Sequence, residues 1–437
     1  MSGTPAPIRI SKPSLRYAIR NFTPAWFSVV MGTGIVSNLF TNFPYDRSAV
    51  PFKTFSAIFF FLNLTIFILF TITSIARYLL FPNIWSIMIH HPVHSLYVAT
   101  FPMGAATLIN ACVNLLHAQY GFGGKGFLYT IWGFWWLDVA ISCICCWGMI
   151  HIMTTSQEHS FETMGSTLAL PFVPVTVISS SGGTLATALQ PFSPGHALLT
   201  ATFTVFLTSI GLSLTLMAMS VYLVRLIFYG QPKGGAVIST ILPVAAFSQA
   251  GVSILSIGQN FQALLPVAGK SGSPFLGSGE VGEIIYAVCV GLSFVLWAMT
   301  TLWLVCSLLW IQAEVRRTRI PFRLPFWSTI FPMGVYATQT INLYRNFDVG
   351  FFRVYGAILA TLTLVLWLYV AAKTVAQLRT GFLFESPCPE IVDIIQPRFF
   401  WKRDVDHEAA KDESRDSEEV EKRHSRGDDS ATMVLQD

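Results

Sequence analysis

Phe101-Pro-Met-Gly104 and Phe331-Pro-Met-Gly334 are the same four residues, 230 positions apart, and each lies inside an apolar stretch. Proline recurs in a similar setting in Phe22-Thr-Pro24, Leu170-Pro-Phe-Val-Pro174 and Leu242-Pro-Val-Ala245. From Pro24 to Pro332 is 308 residues over four intervals, a mean period of 77. A unit of that length is a helix pair repeated five times. The stretches between the proline-bearing ones lack this feature and are greasier, as in Phe59-Phe-Phe-Leu-Asn-Leu-Thr-Ile-Phe-Ile-Leu-Phe70.

Composition places these pairs in a bilayer. Of 437 residues, 53% are hydrophobic and only 11% charged, against about 25% charged in an ordinary soluble protein. The last 37 residues hold 19 of the 50 charges, so the first 400 are emptier still. A soluble enzyme of this length lacks the charge to cover its surface, and disorder, collagen and disulfide scaffolds are excluded as well. The seven cysteines show no paired framework.

A lipid-crossing helix needs about 20 mostly apolar residues. Ten stretches qualify, near 24–40, 54–79, 95–116, 127–150, 166–189, 197–228, 237–264, 281–313, 326–343 and 354–377. The expected architecture is therefore all-α and integral to the membrane, with ten transmembrane helices as five hairpins. Counting Lys and Arg near the span ends gives 13 on the side of the termini and 6 on the other. Basic loops stay inside, so both termini are expected to be cytoplasmic. Residues 1–20 form a basic arm, 21–380 the transmembrane domain, and 381–437 a charged tail with too little apolar surface to fold alone.

Proline inside a span removes a backbone hydrogen bond and kinks the helix, which lipid does not tolerate but protein or water does. The odd-numbered helices, with kinks at Pro24, Pro102, Pro171, Pro243 and Pro332, are thus expected inside, around a central pore. They are also rich in small and polar residues. Gly32, Thr33, Gly34, Ser179, Ser180, Ser181, Ser248, Gln249 and Thr338 are the expected lining of a weakly polar path.

These segments together resemble one family. Residues 21–38, from Asn21-Phe-Thr-Pro24 to Met31-Gly-Thr-Gly34 and Asn38, with Phe43-Pro-Tyr45, Trp135-Trp-Leu-Asp138, Val177-Ile-Ser-Ser-Ser-Gly-Gly-Thr184 and both Phe-Pro-Met-Gly motifs, are similar to the fungal sulfite efflux pumps. Those belong to the tellurite-resistance and dicarboxylate transporter superfamily, which also includes plant guard-cell slow anion channels. The resemblance implies ten helices around a pore, often in a homotrimer, and efflux of sulfite or bisulfite across the plasma membrane with resulting tolerance. It also implies a phenylalanine gate on the ninth helix, which Phe331 matches, with Phe101 as its counterpart in the third. An apolar ring across a narrow pore is a dewetting barrier that a rotamer change removes.

A proton-coupled dicarboxylate permease of the same superfamily is the alternative, and a non-transport receptor a more distant one. Asp138, about 16 Å into the fourth span at about 1.5 Å per residue, is the candidate for proton coupling or for a structural hydrogen bond. No nucleotide-binding motif, catalytic set, cofactor site or nucleic-acid-binding pattern is visible. His90, His91 and His94 lack helical spacing and a fourth ligand, so no metal site is expected there, and Cys143, Cys145 and Cys146 are read as packing residues.

Overall fold

The computed structural model describes residues 15–46, 49–268 and 279–378. The tail at 381–437 and residues 1–14 of the arm lie outside them. Among the described residues there is no strand. The helices in chain order are α1 (Leu15–Arg20), α2 (Phe27–Asn42), α3 (Val50–Leu80), α4 (Pro82–His90), α5 (Thr100–Ala111), α6 (Gly124–Thr155), α7 (Val173–Leu189), α8 (Pro194–Tyr229), α9 (Leu242–Ala268), α10 (Gly279–Val315), α11 (Ile330–Phe347) and α12 (Gly350–Leu378). A π-helical turn, Cys112–His117, extends α5.

Among the described residues, seven helical segments are long and apolar enough to cross a membrane: α3, α6, α8, α10, α12, and the segments Ser95–His117 and Gly234–Pro266 that contain α5 and α9. α2, α7 and α11 do not meet that measure, because they are short or carry polar residues along one side. Burial separates two sets. In the most apolar window of the segments around α5 and α9, 72% and 89% of residues are buried, against 17 to 39% in α3, α6, α8, α10 and α12. Nearly all of α2 and α7 is buried too.

The buried set forms a closed ring: α2 packs on α5, α5 on α7, α7 on α9, α9 on α11, and α11 back on α2. Each of the exposed set packs on the ring helix that precedes it. Glycine makes the close approaches. A Cβ on Gly34 would overlap Thr107, on Gly183 the Ser256 hydroxyl, and on Gly251 the Gln339 amide. Gly104 faces Val30 and Gly334 faces Ile35, both on α2. The repeated Phe-Pro-Met-Gly motif therefore has a packing reason, since α5 and α11 flank α2 from its two sides and each presents its glycine there.

The prolines do not interrupt α-helix. A 3₁₀ segment leads into each ring helix: Pro24–Trp26, Ser95–Ala99, Ser166–Ala169, Gly234–Ile241 and Leu324–Thr329. Pro24 begins the first lead-in, and Pro171 stands in the turn before α7. Pro102, Pro243 and Pro332 fall within the first three residues of α5, α9 and α11. A first-turn N–H has no partner inside its own helix, so proline there costs no hydrogen bond. The expected mid-helix kink is thus a junction where 3₁₀ geometry hands over to α. The lead-ins touch one another (Pro24–Trp26 with Ser95–Ala99 and Leu324–Thr329, for example), so the five ring helices start at one end and run parallel.

Two arginines counted as orientation signals have a structural task. Arg77, fully buried, donates from Nε to the Arg20 carbonyl at 3.0 Å. Arg225 donates from Nε and Nη2 to the Glu162 carbonyl at 3.0 and 2.7 Å and from Nη1 to that of Gly230 at 2.6 Å. Each ties the last turns of an outer helix to a neighbouring segment.

Candidate functional site

The ring encloses two cavities along its axis. The larger, about 380 Å³, lies between the C-terminal halves of the ring helices. A small one of about 20 Å³ lies towards their N-termini. Phe331 is the single residue that lines both. Its side chain is 2% exposed and stands between the two spaces.

The walls are drawn at helical spacing. α11 contributes Phe331, Val335, Thr338, Asn342 and Arg345; α7 contributes Val173, Val177, Ser180, Thr184 and Thr187. α2 contributes Ser28, Met31, Ile35, Asn38 and Asn42; α5 and its π-helical extension Thr100, Met103, Thr107, Asn110 and Asn114; α9 Leu242, Ala245, Gln249, Val252, Ser256 and Gln259. Steps of three and four keep one stripe of each helix on the axis. Every stripe becomes more polar from its N-terminal to its C-terminal end. Around Phe331 the wall is mostly apolar, with Met31, Met103, Leu170, Leu242 and Trp327, and above it amides and hydroxyls share the wall with Ile35, Val177, Val252 and Val335.

Several of these groups are held in place. Asn38 Nδ2 donates to the carbonyls of Gly34 and Thr107 at 3.0 and 3.1 Å, bridging α2 and α5. Gln249 Nε2 donates to Ser180 Oγ, bridging α9 and α7. Trp327 Nε1 donates to Thr374 Oγ1 at 2.8 Å, fixing the indole below Phe331 against α12. Arg345 is the one charged lining residue of the large cavity. Its Nη1 lies 3.3 Å from Asn42 Oδ1 and its Nη2 3.0 Å from the Asn42 carbonyl.

A third cavity, about 610 Å³, opens among the segments that precede the ring helices and includes Glu158, His159 and Arg323. At this end the ring helices present their N-termini. Each carries about half a positive charge there from its macrodipole.

The sequence-expected lining residues divide. Ser180, Gln249 and Thr338 reach the large cavity. Thr33 faces α12, donating to the Val29 carbonyl at 2.8 Å and accepting from Trp367 Nε1 at 3.1 Å. Ser179 bonds Thr208 and Ser253 across α7, α8 and α9. Ser181 and Ser248 donate to carbonyls one turn back on their own helices, and Gly32 and Gly34 take up helix contacts. Phe101 lines neither cavity; its ring stands 5.1 Å from Phe27 and 5.4 Å from Phe67, in an aromatic cluster against α3. The amides Asn38, Asn42, Asn110, Asn114 and Gln259, and Arg345, lie outside the expected set, although the helical stripe on each helix marks them.

Asp138 is buried on α6, away from both axial cavities, and neither carboxyl oxygen has a hydrogen-bond partner in the protein. One turn before it, Trp135 Nε1 donates to the Ile178 carbonyl at 2.9 Å. The His91 and His94 rings meet edge to face, their centroids 4.5 Å apart, and His91 Nδ1 accepts the backbone N–H groups of Val93 and His94, both at 3.2 Å. Burial, then the neighbouring His91 and Arg77 charges, push the His94 imidazole down to about 4. Among the described residues no three metal-ligating side chains stand together.

The chain is 32% identical over 367 residues to the sulfite efflux pump SSU1 of Arthroderma benhamiae, covering 84% of this chain and 93% of that one. It is 28% identical over 354 residues to SSU1 of Candida albicans, covering 78% and 71% of the two chains. The malic acid transport protein of Schizosaccharomyces pombe is 21% identical over 359 residues, covering 81% and 78%. The profile of the family described as "SLAC1: Voltage-dependent anion channel" matches residues 21–375. With that match over most of its length, the chain belongs to the SLAC1 voltage-dependent anion channel family.

Proposed function

We propose that this chain exports sulfite through the axis of the five-helix ring, in the plasma membrane, with both termini cytoplasmic. The ring helices and their five outer partners make ten crossings as five hairpins around that axis. The observation that carries the reading is that Phe331 is the single boundary between the two axial cavities. Rotation of one side chain joins them.

The chemistry suits a small anion. Five parallel helix N-termini converge on the cytoplasmic end and raise the potential there without any buried cation. The constriction is apolar, so it stays dry until the ring moves. Beyond it, amides and hydroxyls replace hydration water. A negative cell interior drives each exported charge with about 2.3 kcal/mol per 100 mV, so no nucleotide hydrolysis is required. Sequence similarity to sulfite efflux pumps supports the choice of substrate. The homotrimer implied by the resemblance would repeat this path in each protomer.

The second reading, a dicarboxylate permease, is favoured by the similarity to a malic acid transport protein. Flux from liposomes containing the purified full chain separates the two. Labelled sulfite is expected to leave under an inside-negative potential, with labelled malate retained. Malate exit with no sulfite exit would replace the first reading by the second.

A further inference from the structure

α2, α3 and α12 enclose a slot of about 150 Å³ that shares no wall residue with the two axial cavities. Leu39 and Phe40 of α2 form its back, Phe52 its α3 side, and Ala360, Thr361 and Leu364 its α12 side. The slot is apolar throughout, since the Thr361 hydroxyl is spent on the Ala357 carbonyl at 2.9 Å. Its inner end is closed. Phe59, seven residues on from Phe52, meets Trp367, three on from Leu364, edge to face with centroids 4.9 Å apart.

A cation stands at the other end. Arg353 lies seven residues before Ala360, two turns away on the same face of α12. Its guanidinium carbon is 4.1 Å from the centre of the Tyr45 ring and 5.5 Å from that of Tyr344. The Tyr45 ring in turn adjoins that of Phe43, a wall residue of the slot, at 6.3 Å. Ring faces hold the charge in place without consuming its N–H groups, and Arg353 Nε is buried with no hydrogen-bond partner among the described residues. A guanidinium fixed in this way is suited to the oxygens of a phosphate.

Length indicates what joins the two ends. From Arg353 to Trp367 is 14 residues of α12, about 21 Å at about 1.5 Å per residue. Half a bilayer, headgroups included, is about 20 to 22 Å thick. The arginine thus falls at headgroup depth and the Phe59–Trp367 contact near the midplane. A free anion gains nothing from the apolar walls, and a bare hydrocarbon gains nothing from the arginine.

We propose that the slot between α3 and α12 is a binding site for a glycerophospholipid, with one acyl chain against Phe40, Phe52 and Leu364 and the phosphate on Arg353. The inference needs α3 and α12 to cross the bilayer but does not need the axis to carry sulfite, so the two readings are tested apart.

Dioleoylphosphatidylcholine is the probe, and dioleoylglycerol, with the same chains and no phosphate, is the control. Native mass spectrometry of the detergent-solubilised full chain is expected to show saturable retention of the first and much weaker retention of the second. Arg353→Gln should lower the apparent affinity for the phospholipid about tenfold, the loss of one charge-assisted hydrogen bond, and bring it near that of the control. Tyr45→Leu, which removes the ring under the guanidinium, should act in the same direction and serves if the arginine variant does not fold. Thr361→Phe fills the slot from a side chain that is already exposed, and should weaken retention of both lipids.

Equal retention of the two lipids, or phospholipid retention that neither Arg353→Gln nor Tyr45→Leu lowers, would overturn the inference. So would unchanged retention in Thr361→Phe. A change in oligomeric mass in that variant, with lipid retention intact, would assign the slot to a second copy of the chain instead.

Discussion

At the scale of single residues the axis turns on Phe331. Replacing a buried Phe by Ala commonly costs about 3 to 5 kcal/mol, and this ring, 2% exposed, is expected to fall within that range. Lowering a barrier by about 1.4 kcal/mol raises a rate about tenfold, and Phe331→Ala is expected to raise sulfite flux by about that factor. Unchanged flux in a well-folded variant would return the ring to ordinary packing. Asp138 behaves differently because α6 holds it away from the axis. Asp138→Asn is expected to leave the pH dependence of flux unaltered, and a shifted profile would place the carboxyl on a proton route. Thr33, Ser179 and Phe101 show why residue type alone misleads. A hydroxyl on a ring helix has as many uses between helices as on the axis.

At the scale of elements, glycine closes the ring and proline starts its members. Gly251→Leu places a side chain where the Gln339 amide already lies, and overpacking of this kind costs about 1 to 3 kcal/mol. Pro332→Ala, at a first-turn position that lacks an intrahelical bond in any case, is expected to cost less than about 1 kcal/mol. Thermal unfolding of the two variants in one detergent checks the ordering, and an equal or larger loss for Pro332→Ala would contradict the junction reading. The turn that carries His91 and His94 towards α5 adds a pH term. His94 binds a proton with a pKa of about 4 in the folded chain against an ordinary 6.5. The unfolded chain therefore takes up more protons between those values, and stability falls as pH drops through 6.5 towards 4. The groups bearing on it are His91 and Arg77, both of which oppose its charge. The thermal midpoint should decline from about pH 7 to about pH 5, and less steeply in His94→Gln. An equal slope in that variant would remove His94 from the effect.

At the scale of the whole molecule, the proposed anion path runs between parallel helices that bring little fixed charge to it. Five hairpins of one kind place five N-termini at one end and five polar stripes at the other. Buried carboxylates or cations on the axis would trap or repel the ion, whereas backbone dipoles and neutral donors hold it weakly enough to release it. The same layout leaves the outer helices free to meet lipid with Phe, Leu, Ile and Val.

Composition and the five proline-bearing stretches were enough to identify an all-helical membrane chain and its inner and outer helices, whereas the candidate gate at Phe331 came from the resemblance to the fungal sulfite efflux pumps. Those properties follow from local chemistry: apolar length, the missing N–H of proline and the cost of burying charge. The side of each inner helix that faces the axis was also written in steps of three and four, although small and hydroxyl residues drew attention away from it. What only the tertiary structure decided is which polar groups face the axis and which are consumed between helices. It separated Ser180 from Ser179, Thr338 from Thr33 and Phe331 from Phe101, because rotation about each helix axis is set by the glycine contacts with its neighbours. No single helix carries that information by itself.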